Sequence, residues 1–182
     1  MNSNKITRFL VLALVMAFAF AAFVPFNAQA AAPAKKGDAS KDLPTIVETA
    51  LAVNAKSGEF STLIAALSAA GLVDKFNGNT HYTVFAPTDA AFAKLGLNAK
   101  NVGSLPTSDL RNILAFHVAR GDRYANSVVN ASKINMLNGD KAYPSVKADG
   151  AYIDNAKIVT TNIKTSNGVI HIIDSVILPP AK

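Results

Sequence analysis

The sequence contains no cysteine and no tryptophan. Without cysteine there is no disulfide framework, no thiol nucleophile and no thiolate metal site, so an exported chain would have to be stable through its core alone. Histidine is nearly absent too: His81, His117 and His171 stand far apart, and none forms the i, i+4 pair of a zinc site. Charged residues make up 16% of the chain, and the formal net charge of +6 is scattered rather than gathered into a basic stripe, which argues against a nucleic-acid partner. No Gly-x-Ser-x-Gly elbow, Ser-x-x-Lys motif or glycine-rich phosphate loop occurs. Asp140, Asp149 and Asp154 lie in or beside turns and lack the alternating oxygen ligands of a calcium loop. These absences predict a protein that is not an enzyme and carries no metal.

What is present begins with a targeting signal. Lys5 and Arg8 precede an unbroken apolar stretch, Phe9 to Val24, followed by the small-x-small site Ala28-Gln29-Ala30. The stretch is sixteen residues, short of the ~20 that a spanning helix needs. Residues 1–30 are therefore expected to be a cleaved secretory signal, leaving no stable membrane anchor and a secreted or periplasmic protein. Losing Lys5 and Arg8 leaves sixteen basic residues against twelve acidic ones, a net charge of +4, with Lys35, Lys36 and Lys41 in a polar stretch. That stretch, residues 31–42, reads as a disordered linker. Residues 43–180 suit one domain.

In that domain helical periodicity comes first. Pro44 suits a first helical position, with Ile46, Val47, Ala50 and Leu51 on one face. Phe60, Leu63, Ile64, Leu67 and Ala70 align in a second helix stopped by Gly71. Thr88 to about Leu95 reads as a helix, Asn98 to Val102 as a turn, and Ser108 to Phe116 as a helix capped by Thr107. Phe92 and Leu114 are expected core positions. Period-two runs follow at 134–137, 142–146, 151–153, 157–161 and 169–178, with Asn138-Gly139 and Asp149-Gly150 as hairpin turns. Helices first and strands later is the order of an α+β domain.

Two strings separated by 75 residues are the most informative feature. In the first, Thr83-Val-Phe-Ala-Pro-Thr-Asp-Ala-Ala-Phe92, a β-prone run ends at Pro87, Thr88 stands at an N-cap and Asp89 in the first turn. The second, Gly168-Val-Ile-His-Ile-Ile-Asp-Ser-Val-Ile-Leu-Pro179, opens on an Asn-Gly turn and runs through β-branched residues to Pro179-Pro180. Together they resemble the two signature segments of the fasciclin domain, an extracellular interaction module, over Leu43 to Pro180. The resemblance implies an α+β fold with two small sheets forming a wedge flanked by several helices. It also implies a recognition module that contributes to cell adhesion or matrix association through a cell-surface, matrix or protein partner. The alternative it implies is a soluble carrier of an apolar small molecule such as a carotenoid, lined by Phe85, Phe92 and Leu95.

The candidate motif residues are Thr88, Asp89, Phe116, His117 and His171. Phe116-His117 resembles a Tyr-His pair linked with adhesion in some animal fasciclin domains, with the tyrosine hydroxyl missing here. His117 shares a face with Leu110, Ile113 and Leu114, so it is expected to be buried and joined to Asp89 or Thr88, because a buried imidazole needs partners. His171, between two isoleucines, reads as a core or edge histidine and His81 as an exposed loop residue. Arg120-Gly121-Asp122 and the sequon Asn130-Ala-Ser132 read as turn residues and as a spelling only.

Overall fold

The computed structural model describes residues 42–180, and the expectations for the signal segment and most of the linker lie outside them. The first helix, α1 (Ile46–Ser57), opens on a capping box that the spacing Thr45-x-x-Glu48 encodes. Thr45 Oγ1 accepts from Glu48 N and Glu48 Oε2 accepts from Thr45 N, so Thr45 is the cap and Ile46, not Pro44, is the first helical residue. Gly58 closes it at φ 72°, the left-handed conformation that glycine adopts without Cβ strain. Helix α2 (Ser61–Ala69) ends at Gly71 with a Leu72 N–H to Leu67 C=O bond. The short α3 (Val73–Phe76) leads into strand β1 (Tyr82–Pro87), and Thr88 caps α4 (Asp89–Ala93). A 3-10 turn at Val102–Ser104 precedes α5 (Thr107–Phe116). Thr107 is the first residue of α5 and not its cap; Pro106 holds the cap position, with no side-chain bond.

The β-rich half begins with β2 (Val118–Arg120), then α6 (Ala125–Val129), neither visible as a period in the sequence because each is too short. A two-stranded sheet, β3 (Ile134–Asn135) with β4 (Lys141–Ala142), turns through Asn138-Gly139. Then come β5 (Pro144–Lys147), β6 (Gly150–Ile153), β7 (Ala156–Thr165) and β8 (Gly168–Ile173). The expected strand 142–146 is split between β4 and β5. The run 169–178 stops being strand at Ile173, where Asp174 N bonds back to Lys157 O and the side chain of Asp174 takes Lys157 N.

Six strands form one sheet in the order β2-β1-β8-β7-β6-β5. The ladder is antiparallel except at its centre, where β1 and β8 run parallel from Tyr82↔Gly168 to Pro87↔Ile173. Both central strands are buried along their whole length, as strands covered on two faces must be. The β7–β8 ladder shifts register on both sides of Thr160, and Asn162 beside it sits at φ 62°, the irregularity of a β-bulge, which bends the strand. Alternation then builds two cores. Val84, Ala86, Ile170 and Ile172 face a cluster with α1, α2 and α5 that holds Phe60, Phe76, Phe92 and Leu114. Phe85 and Ile173 face a second cluster with Phe116, Ile134, Ile153 and Ile177. The molecule is α+β, a curled sheet with a small second one, flanked by helices.

Candidate functional site

The parallel pairing of β1 and β8 lays the two signature strings side by side. Around that seam the polar signature residues are all engaged within the fold. Thr88 Oγ1 accepts from Ala91 N and its own N–H reaches Ile173 O, tying the start of α4 to the end of β8.

Asp89 works away from its own helix. Helix α2 has Phe60 at its cap position with no side-chain bond of its own. Asp89 supplies the missing acceptors from across the fold: Oδ1 takes Thr62 N at 2.8 Å and Oδ2 takes Ser61 Oγ at 2.7 Å, while Asp89 N donates to Glu59 O. Partial burial pushes the Asp89 carboxyl up, but the hydrogen bonds from Ser61 and Thr62 outweigh it and hold the pKa below the ordinary carboxylate value. Asp89→Ala is expected to lower stability by about 1–2 kcal/mol, the usual loss for a cap, read as a shift in urea midpoint at unchanged slope. A change under a few tenths would show that α2 caps itself.

His117 does not join Asp89 or Thr88. Its Nδ1–H donates to Ile113 O at 2.8 Å and its Nε2 accepts from Ile177 N at 3.1 Å. A carbonyl can only accept and an amide can only donate, so the ring is the neutral Nδ1–H tautomer. The partner across the chain is thus the main chain beyond β8, which no side-chain pattern announces. Burial pushes the imidazole down to about 4, against the pull of the Ile113 carbonyl. Phe116 is 2% exposed and lies in the second core, so the Phe-His pair is an interior feature and not a surface motif.

His171 is fully buried and stacks on Phe85, ring centroids 5.5 Å apart. Its Nε2–H donates to Arg123 O at 2.8 Å, and Nδ1 faces Asn162 N at 3.4 Å, at the bend of β7. Burial lowers its pKa, opposed by the bond to Arg123. Both histidines are held neutral in the folded chain and become free to protonate on unfolding. Their contribution is therefore complete above the unfolded value near 6.5 and is lost as pH falls toward the folded one. For His117, with a folded value of about 4, the loss approaches about 3 kcal/mol. Denaturant midpoints should fall between pH 7 and pH 4.5, and the His117 imidazole resonances should not titrate above pH 5. Titration of that ring near 6.5 in the native protein would overturn the assignment.

The three residues expected to line an apolar site do not meet. Phe85 lines a small cavity of about 30 Å³ between α1, α2 and the sheet, together with Ile46, Thr49, Phe60, Leu114 and His117. Phe92 is packed in the core outside that lining, and Leu95 points outward, 45% exposed. The helix expected to carry Leu95 inward ends at Ala93. Thr49 Oγ1 is buried beside the cavity with no hydrogen-bond partner among the described residues.

At the surface His81 is exposed and its Nδ1 meets both Asp122 oxygens at 2.9 and 3.0 Å. Gly121, at φ 79°, makes Arg120-Gly121-Asp122 a turn, pinned by Thr83, whose Oγ1 donates to Gly121 O and accepts from Arg123 N. No group of three metal-ligating side chains occurs among the described residues, and none of their helices is long and apolar enough to cross a membrane.

The residue that sequence reasoning undervalued is Asn167. Read as a turn former, it is 3% exposed, and its side-chain amide and main-chain carbonyl together tie three elements. Oδ1 accepts from Ile46 N at the start of α1, and Nδ2 donates to Phe76 O and Gly78 O at the end of α3. Its carbonyl takes Tyr82 N at the start of β1. The only local signal was the Asn-Gly dipeptide, which cannot reveal partners some 90 and 120 residues away.

Comparison with known proteins matches residues 58–179 to the fasciclin domain model. The chain is similar to Protein sll1483 of Synechocystis, at 38% identity over 75% of this chain and 74% of that one. It is similar to Immunogenic protein MPB70 of Mycobacterium bovis, at 36% identity over 68% of this chain and 65% of that one. A third relative, transforming growth factor-beta-induced protein ig-h3 of Sus scrofa, is 35% identical over 67% of this chain, which spans only 18% of its length. Among solved structures, a FAS1 domain pair from the insect cell adhesion molecule fasciclin I superposes with a TM-score of 0.60 at 17% identity. That match covers 74% of this chain and 51% of that one.

Proposed function

Because the chain belongs to the fasciclin domain family, we propose that it is an extracytoplasmic, non-enzymatic recognition module that contributes to cell adhesion or matrix association. The observation that carries this reading is the closed interior. The signature residues Thr88, Asp89, His117 and His171 are spent on holding the fold, and the interior cavity measures about 30 Å³. A small-molecule site ordinarily offers roughly 300–1,000 Å³. Binding then falls to the outside. Tyr143 and Val146, at the β5 end of the sheet, are 56% and 66% exposed, and Lys147 lies over the Tyr152 ring at 4.0 Å. An exposed tyrosine beside an exposed apolar side chain suits a protein or matrix surface, since aromatic residues are enriched where proteins meet. Fasciclin I, named as a cell adhesion molecule, and the cell surface glycolipoprotein MPB83 are relatives in keeping with this reading.

The second reading, a carrier of an apolar molecule such as a carotenoid, draws on the almost wholly apolar cavity lining and the unpartnered Thr49 hydroxyl. It requires the elements around the cavity to part, since a long polyene cannot occupy about 30 Å³. One experiment separates the two. Protein expressed in a carotenoid-producing host should elute colourless and should bind immobilised cell-envelope or matrix fractions, with binding reduced in a Tyr143→Ser/Val146→Ser variant of unchanged melting temperature. Stoichiometric pigment with a raised melting temperature would overturn recognition in favour of carriage.

A further inference from the structure

Three Asn-Gly pairs occur in the chain, Asn77-Gly78, Asn138-Gly139 and Asn167-Gly168. This dipeptide is chemically labile because glycine leaves the following amide nitrogen sterically open to the asparagine side chain. The fold treats the three very differently. Asn167 is buried and its amide makes three hydrogen bonds. Asn138 is half-buried: Nδ2 donates to Asn112 Oδ1 and Asp140 Oδ2, Oδ1 accepts from Asp140 N, and Gly139 N is committed to Met136 O. Asn77 is exposed in the bend after α3, and its single side-chain bond is from Thr45 Oγ1 to Oδ1. Neither its Nδ2 nor Gly78 N has a partner among the described residues.

We propose that Asn77 is the site of spontaneous deamidation in the folded protein, a modification directed by the fold to one of three chemically equivalent dipeptides. The Gly78 amide nitrogen, giving its proton to solvent base, attacks Asn77 Cγ. The Cγ–Nδ2 bond breaks, ammonia leaves and a five-membered succinimide forms. Water then opens the ring at either carbonyl, giving aspartate or isoaspartate. The isoaspartyl product has structural consequences, because it inserts one main-chain carbon between Phe76 and Gly78. The carbonyls of those two residues hold Asn167 Nδ2 at 2.7 and 2.8 Å, so lengthening the chain between them loosens the clamp.

The test is incubation of the purified protein at mildly alkaline pH, followed by peptide mapping and labelling with an isoaspartyl methyltransferase. Product at position 77 should exceed product at 138 by about ten-fold or more, because the three side-chain bonds of Asn138 and the Gly139 N–H bond hold that pair closed. Position 167 should stay unmodified while the fold persists. In denaturant the three rates should converge, and Asn77→Gln should remove the folded-state product without changing the unfolding midpoint of fresh protein. Folded-state rates within a few-fold of one another, a lead by Asn138 or Asn167, or no folded-state reaction at all would overturn the proposal.

Discussion

Gly168→Ala is expected to prevent the domain from folding, or to cost about 4 kcal/mol or more if it folds at all. The reason is the parallel seam. Gly168 opens β8 directly beside Tyr82 of β1, and a Cβ built on its main chain lands far inside van der Waals contact with Tyr82 O, with Ile46 Cδ1 at 3.0 Å. The obstacle is main chain in the most buried strand pair of the sheet, which cannot rotate aside as a side-chain tip could. Relief would require separating β1 from β8 or lifting α1. The control is Gly121→Ala, at φ 79° with nothing within 4 Å of the added atom, where only the left-handed backbone strain of about 1–2 kcal/mol applies. Circular dichroism and urea unfolding of the two variants measure the difference. If Gly168→Ala unfolds at the same midpoint as Gly121→Ala, the close approach is not what the geometry says it is.

The second large effect belongs to Asn167→Ala. Removing the amide strands Ile46 N, Phe76 O and Gly78 O, of which the first two are buried. A buried polar group left without a partner costs about 1–3 kcal/mol, so a loss of about 4 kcal/mol is expected for the set after some relaxation. Asn167→Asp sharpens the test. It keeps the acceptor for Ile46 N but turns a carboxylate oxygen toward two carbonyls, which favours the protonated form and raises the folded pKa. The variant should therefore gain stability relative to wild type as pH falls toward the unfolded value of about 4, where a carboxyl O–H can serve one carbonyl. Wild type moves the other way over that range because of His117. An Asn167→Ala loss below about 1 kcal/mol, or an Asp variant with the wild-type pH profile, would reduce Asn167 to a turn residue.

Much of the fold was legible along the chain because its causes are local. Apolar periodicity placed α1, α2 and α5. Thr88 after Pro87 marked the start of α4, and the turn pairs Asn138-Gly139 and Asp149-Gly150 marked hairpins. Phe92 and Leu114, each 2% exposed, followed from helical faces. The misses were elements of three to five residues, β2, α3 and α6, which show less than one reliable period. The end of β8 at Ile173 was also missed, because the apolar run continues through Val176 and Ile177 for burial alone.

The candidate site was legible only as a set of names. Sequence by itself determined the α+β class, the lack of any thiol, and the burial expected of His117. Those follow from composition, period and spacing, which act within a few residues. Only the tertiary structure decided that the two signature strings pair in parallel, that Asp89 caps a helix other than its own, and that His117 binds the Ile177 main chain. It also decided that Asn167 joins α1, α3 and β1, and that Leu95 faces outward. Each of these depends on a backbone group brought from 27 to 121 residues away or on where a helix stops. A backbone N–H or C=O is present at almost every position, so the sequence carries no mark of which one a buried side chain will meet.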